Sequence, residues 1–393
     1  MNFAGIITEY DPFHNGHAAQ IAMLRARGAQ TIAVCMSSGA VQRGAIPLLP
    51  EPPRVAAAMA AGADLVVALP APYACAGAEA FAAAGVHLLA ALGCDTLAFG
   101  AETPDAGTLM RTAKLLQAPE LNALLRENMA GGTTFAAARA HAAESLRPGA
   151  GDILNTPNNI LGVEYCKAIL AQNAVLAPLP LPRLGTGHGS GTAAEANGVP
   201  LASASLLREK VRGEGIAALQ AYTPPAAYAL YRAAAERGEL ADPAKFSVAI
   251  LSRLRGMEPE ELGKIRGMGE GLENRMAAAL RTAAGVEELY DALKTKRYPH
   301  ARLRRLVLDA ALGYRANAIP ALPPYLHILG AKKQALGGLH TALPCATSLA
   351  KLAQQGEACA LVVKLHRNAI DFSSLCRVQS QPMGLAFTAK PVV

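Results

Sequence analysis

The chain has 393 residues, 52% of them apolar, 17% charged and 5% aromatic, with no Trp and a formal net charge of +7. This balance excludes a disordered chain, which would be poor in apolar residues and rich in charge. The 36 Gly and 26 Pro follow no period of three, which excludes a collagen-like chain.

The length allows two or three domains. Alanine supplies much of the apolar fraction, as in residues 56–61 and 80–84. No window of about 20 residues is uniformly apolar. Glu9 and Asp11 fall where a signal peptide would carry its apolar segment. The expectation is a soluble cytoplasmic protein with no membrane span. The seven cysteines are odd in number and form no C-x-x-C, so they read as reduced thiols rather than a zinc or disulfide framework. Charge is uneven. Residues 1–200 carry 11 basic and 14 acidic side chains, and residues 201–393 carry 26 and 16. The basic excess in the second half fits either a polyanion partner or a solvated basic surface.

In chain order, residues 3–8 (FAGIIT) form an apolar run fit for a buried strand, and a helix is predicted from about His14 to Arg27. Further strands are predicted at 31–36, 65–69 and 95–99, separated by Ala-rich helices. Alternation at this spacing implies a mostly parallel sheet covered by helices. Residues 103–171 read as mainly helical, and 174–180 as one more strand. The stretch 184–198 reads as a Gly-rich loop, and its part 185–191, with His188 and four glycines, as a mobile lid or a plain linker. Beyond a soft boundary near 213 helical patterns dominate. The expected division is an α/β domain over 1–212 and a mainly helical basic domain over 213–393.

The turn after the first strand is Glu9-Tyr10-Asp11-Pro12-Phe13-His14-Asn15-Gly16-His17. Ligands of open α/β sheets sit at the carboxyl ends of strands, and a helix N-terminus there suits phosphate. Gly16 would let phosphate approach the backbone, and His14 and His17 are spaced to share a helix face. This set matches the H-x-G-H signature of class I nucleotidyltransferases, whose histidines stabilise charge at the α-phosphate. Downstream, 202–208 (ASASLLR) resembles that superfamily's I-S-S-T-x-I-R motif. Ser203 and Ser205 could cap a helix or bond a phosphate, and Arg208 could hold the β- and γ-phosphates.

The longer string GIITEYDPFHNGH resembles the bacterial tRNA(Met) cytidine acetate ligases, which usually show E-Y-N-P-F-H-N-G-H. Matching segments follow in order at 41–44 (VQRG), 62–66 (GADLV), 99–102 (FGAE), 157–165 (PNNILGVEY), 271–275 (GLENR) and 295–298 (TKRY). The resemblance spans roughly residues 3–333. It implies a Rossmann-like nucleotidyltransferase domain of the HUP type followed by a mainly α-helical C-terminal domain. It also implies formation of acetyl-adenylate from acetate and ATP, with Mg2+ on the triphosphate, and acetyl transfer to N4 of the wobble cytidine of elongator tRNA(Met). By that resemblance His14, His17 and Arg208 are catalytic. The ATP site falls on Ile7, Thr8, Glu9, Tyr10, Asp11, Pro12, Phe13, His14, Asn15, Gly16, His17 and Gln20, with Gly100, Asn158, Arg183, Ser203 and Ser205. Read on its own, Gly100 also suits an ordinary turn, Asn158 a helix cap and Arg183 the surface. Oligomeric state is not legible.

Three departures from the family pattern stand out: Asp11 replaces the common Asn, Ser37-Ser38-Gly39-Ala40 precedes Gln42-Arg43-Gly44, and Glu51-Pro52-Pro53-Arg54 lacks the usual Lys-Trp. In the basic half, Lys294, Lys296, Arg297, Arg302, Arg304 and Arg305 crowd around Tyr298. With a tRNA substrate implied, they read as an RNA-binding surface on which Tyr298 stacks a base, extended by Lys332 and Lys333. The alternative is a solvated helix face. Gly267–Gly271 looks like a nucleotide loop but follows a helix, which argues against a dinucleotide site. Two other functions remain open at this point: an adenylyltransferase making a dinucleotide cofactor, and an RNA-binding protein on an inactive nucleotidyltransferase fold. Residues after about 340 carry no recognisable motif.

Overall fold

The run FAGIIT becomes strand β1 (Phe3–Thr8), and the next apolar runs become further parallel strands of one sheet: β2 (Thr31–Ser37), β3 (Leu65–Leu69), β4 (Thr96–Ala101) and β5 (Ala177–Pro182). The computed structural model describes residues 1–130, 133–183, 194–196, 198–296, 298–337 and 339–393. A short antiparallel pair, β6 (Ala194–Ala196) and β7 (Val199–Leu201), stands apart from the main sheet. The sheet order is β5-β4-β1-β2-β3, so the order reverses between β1 and β4.

Side chains alternate across the sheet with the period of two that strands impose. Ile7, Ala33, Cys35, Leu65 and Val67 enter one core, while Ala4, Ile6, Ile32, Val34 and Val66 enter the other. Both faces are covered, which is why these strands read as continuous apolar runs. Small residues set the layer spacing. The Ala78–Ala91 helix lies on β1 through Gly85, where an added Cβ would stand 2.6 Å from Ile7.

The sheet does not stop at the change in sequence character near residue 213. Strand β8 (Leu326–Ala331) pairs antiparallel with β3, and β9 (Cys345–Ala346) extends the edge, giving seven strands. The run LHILGA is fully buried there. Between these segments, helices including Pro243–Leu254, Val286–Leu293 and His300–Leu312 build a third core around Ile250, Leu289 and Leu303. Residues past 340 also join in. The Glu357–Leu375 helix places Val362 and Val363 in the sheet core and Ala369 in the helical core. Among the described residues no helix is long and apolar enough to cross a membrane. The stretch 184–193, with His188, lies outside the described residues.

Candidate active site

After β1 the chain turns over the carboxyl edge of the sheet and starts the Asn15–Ala26 helix with His14 as N-cap. His14 Nδ1 accepts the Gly16 N–H at 3.1 Å, and His17 Nδ1 accepts the His14 N–H at 3.3 Å. The two rings stack with centroids 3.7 Å apart. Each Nδ1 is an acceptor, so each neutral ring carries its proton on Nε2. Burial, then the charges of Arg183 and Arg208, push His14 down to about 3. Burial and the neighbouring His14 push His17 well below its ordinary value. At neutral pH the site therefore presents two uncharged imidazoles, each with an Nε2–H donor, at a helix N-terminus.

Both rings line a cavity of about 530 Å³. It sits where the strand order reverses, the usual ligand position in open α/β sheets. Ile7, Thr8, Glu9, Tyr10, Asp11, Gly16 and Gln20 line it, with Gly100 from the end of β4 and Arg183 after β5. Asn158 lines it too, and its amide donates to Glu102 Oε1 at 2.5 Å rather than capping its helix. Glu102 also stands 3.6 Å from Arg183, so one carboxylate tethers two cavity residues. Ser203 caps the Ala204–Glu214 helix by accepting the Leu206 N–H, and its hydroxyl is 3.0 Å from that of Ser205. Both serines and Arg208 line the same wall.

Arg208 is fixed by the turn itself, donating to the Asp11 carbonyl at 2.5 Å. The Asp11 carboxylate is 1% exposed, 2.5 Å from Arg43 and 3.7 Å from Arg208. Burial opposes its ionisation, but Arg43, Arg208 and Arg54 outweigh that and hold it below the usual carboxylate range. Asp11 is thus the counter-ion of a cationic cluster, not a bare negative charge facing the ligand. The fully buried Arg54 donates to the carbonyls of Glu9 and Ser37 at 2.8 and 2.9 Å, which ties the turn to the end of β2.

With this geometry in place the comparisons are decisive. The sequence profile described as HIGH Nucleotidyl Transferase matches residues 1–378. The tRNA(Met) cytidine acetate ligase of Syntrophotalea carbinolica is 33% identical over 374 residues, covering 90% of this chain and 87% of that protein. The chain belongs to the tRNA(Met) cytidine acetate ligase family. The enzyme of that name from Bacillus licheniformis is 33% identical over 346 residues, covering 85% and 83%. Thermotoga maritima TmcAL bound with alpha-thio ATP matches 100% of this chain and 99% of its own at a TM-score of 0.89 and 24% identity. That likeness establishes the shared α/β fold.

For a ligase of this family the structure redistributes several expected residues. Pro12, Phe13 and Asn15 do not line the cavity. Phe13 is fully buried, its N–H donating to the Tyr231 hydroxyl, and the Asn15 amide donates to the carbonyls of Pro200 and Ala221. They shape the turn from behind. Tyr298 is 6% exposed, its hydroxyl bonds Glu270, and the Arg302 guanidinium lies 4.7 Å from its ring centre. Its ring belongs to the core and offers no face to a base. Lys294, Lys296 and Arg302 are exposed, and Arg304 is paired with Glu287 at 3.4 Å. Arg297 lies outside the described residues. Arg305 leaves the basic surface and lines the cavity. Lys332 pairs with Asp64 at the opposite end of the sheet, so it does not extend the basic surface.

Sequence reasoning missed Gln42, Arg43 and Glu102 as site residues. The matching segments VQRG and FGAE held the signal, but nothing local shows that they reach one cavity.

Proposed function

We infer that the protein is an ATP-dependent ligase that forms acetyl-adenylate and passes the acetyl group to N4 of the wobble cytidine of elongator tRNA(Met). The observation that carries this reading is the pair of neutral imidazoles whose Nδ1 atoms are occupied by backbone N–H groups. Their Nε2–H donors are left for the triphosphate, beside Arg208. Relatives named for this reaction support it, as does the nucleotide bound by the Thermotoga maritima neighbour.

In the first step an acetate oxygen bonds to the α-phosphorus. The bond from that phosphorus to the bridging oxygen breaks, and its electron pair leaves with pyrophosphate. His14 and His17 donate to the phosphoryl oxygens where charge builds, and Arg208 with the Ser203 and Ser205 hydroxyls holds the leaving pyrophosphate. Gly100, Asn158 and Arg183 take the adenosine end. In the second step the cytidine N4 attacks the acetyl carbonyl, AMP leaves and the amine sheds a proton. No protein nucleophile is required. Among the described residues no three His, Cys, Asp or Glu side chains are placed to hold an ion. Magnesium, if bound with the nucleotide, would neutralise charge on the triphosphate. The exposed Lys294, Lys296 and Arg302 take up tRNA phosphates, in the cytoplasm.

Incubation with ATP, acetate and bulk tRNA tests this directly. N4-acetylcytidine with stoichiometric pyrophosphate is expected. Adenylylation of a phosphate ester with unmodified tRNA, or tight tRNA binding with no ATP turnover, would overturn it.

A further inference from the structure

The loop after β2 carries a donor cluster that the steps above leave unused. Gln42 is tied down at its backbone. Its N–H donates to Glu9 Oε1 at 2.6 Å, and its carbonyl accepts from Arg305 at 3.5 Å. Its side-chain Nε2 is buried with no hydrogen-bond partner among the described residues, although Gln42 lines the cavity. Buried polar groups are nearly always paired, so an orphaned amide in a cavity wall points to an acceptor that arrives from outside. Arg43, next in sequence, lines the same wall and is positioned by Asp11. Arg305 adds a second cation from the His300–Leu312 helix, and burial pulls its guanidinium below its ordinary value. An anion at this spot would pair the orphaned Gln42 amide and the Arg305 guanidinium, beside the Arg43–Asp11 pair.

The arrangement is rigid. Gly44 has a φ of +80°, and a Cβ there would stand 2.4 Å from the Arg304 carbonyl carbon and the Arg305 nitrogen. Loop and helix therefore interlock backbone to backbone, which fixes Arg305 against Gln42. The cluster also lies on a definite side. Gly100 lies at the end of β4, Asn158 on the Pro157–Gln172 helix between β4 and β5, and Arg183 just after β5, whereas Gln42 and Arg43 follow β2, across β1 from them. One cavity thus has a nucleoside side and an anion side, with the two imidazoles between.

We propose that Gln42, Arg43 and Arg305 form the binding site for the carboxylate substrate, holding a short carboxylate beside the α-phosphorus. An amide N–H and two guanidinium groups match the acceptor-only oxygens of a carboxylate. The assignment rests on the ligase reading above and names where that reaction's acid is held.

The test is steady-state pyrophosphate release with acetate, ATP and tRNA varied separately, on wild type, Gln42→Ala, Gln42→Glu and Arg305→Ala. ATP-induced thermal shift serves as the folding control. The expected result is an acetate KM raised about tenfold or more in Gln42→Ala and Arg305→Ala, with the ATP KM within about twofold. Gln42→Glu is expected to lose acetate use while its ATP shift persists. Variants that raise only the tRNA KM, or raise the ATP KM as much as the acetate KM, would assign the cluster to RNA or to nucleotide phosphate and overturn the proposal. An unchanged acetate KM in both alanine variants overturns this assignment alone. Wild-type protein that releases no pyrophosphate with acetate overturns the functional reading beneath it.

Discussion

Arg208 reaches back across nearly two hundred residues to donate to the Asp11 carbonyl at 2.5 Å, and the Asp11 carboxylate lies 3.7 Å from the same guanidinium. The second nucleotidyltransferase motif is thereby anchored to the first. Asp11 also balances Arg43, so it acts as a resident anion where the triphosphate will bring its own. Asp11→Asn keeps the shape and removes the charge. It is expected to destabilise the nucleotide-free protein by on the order of 2 kcal/mol, because two half-buried cations lose their buried partner. ATP should restore much of this, so the ATP-induced rise in Tm should be larger in the variant than in wild type. An equal or smaller rise would show that Asp11 does not neutralise this cluster.

The imidazole pair carries the chemistry. His17→Ala removes one Nε2–H donor and frees the His14 N–H that it caps. Acetate-dependent pyrophosphate release should fall by about a hundredfold or more, the usual scale for losing one donor to developing charge. Filter binding of tRNA should be unchanged. Near-normal turnover in this variant would remove His17 from the phosphate cradle.

Much of this site was legible because it is local. The β1 run, the H-x-G-H turn and the serine-capped helix start are each contiguous, and each forms where its pattern places it. What the sequence hid depends on docking between distant segments. Arg305 lies on a helix whose charges look solvated, and only backbone contact at Gly44 carries it into the cavity. Tyr298 sits among cations and reads as an exposed stacking platform, yet Arg302 and Glu270 close over it. Strand β8 is six residues in a helical context, and its pairing with β3 leaves no local mark.

The basic surface is consequently narrower than the cluster of charges in the sequence. Replacing Lys294, Lys296 and Arg302 together by Ala is expected to weaken tRNA binding. The slope of log K against log salt should lose about 0.7–0.9 for each phosphate contact removed. ATP-only parameters should stay as in wild type. A salt slope that does not change would move the RNA surface elsewhere.

A buried relay away from the cavity adds to the pH response that His14 and His17 impose on the fold. His366 is fully buried, with Nδ1 accepting the Ala71 N–H at 3.1 Å and Nε2 3.4 Å from the Ser38 hydroxyl, which bonds Glu51. Burial pushes His366 to about 3 and His327 to about 4, both below the ordinary 6.5. The unfolded chain therefore binds more protons between these values, and stability falls as pH drops below 6.5. Glu51, pushed by burial up to about 7, has the opposite sign: it favours the fold at low pH and loses that contribution as pH rises to 7. In denaturant unfolding between pH 4.5 and 6, His366→Gln should reduce the slope of stability with pH by about 1.4 kcal/mol per unit. An unchanged slope would mean that His366 is protonated in the fold.

The claim that this cavity joins acetate to the α-phosphorus of ATP is tested most directly by isotope transfer. Turnover of doubly 18O-labelled acetate with ATP and tRNA should give AMP carrying one 18O on its phosphate, because the attacking carboxylate oxygen stays on phosphorus when the acetyl group leaves. Unlabelled AMP, or ADP as the nucleotide product, would contradict the account.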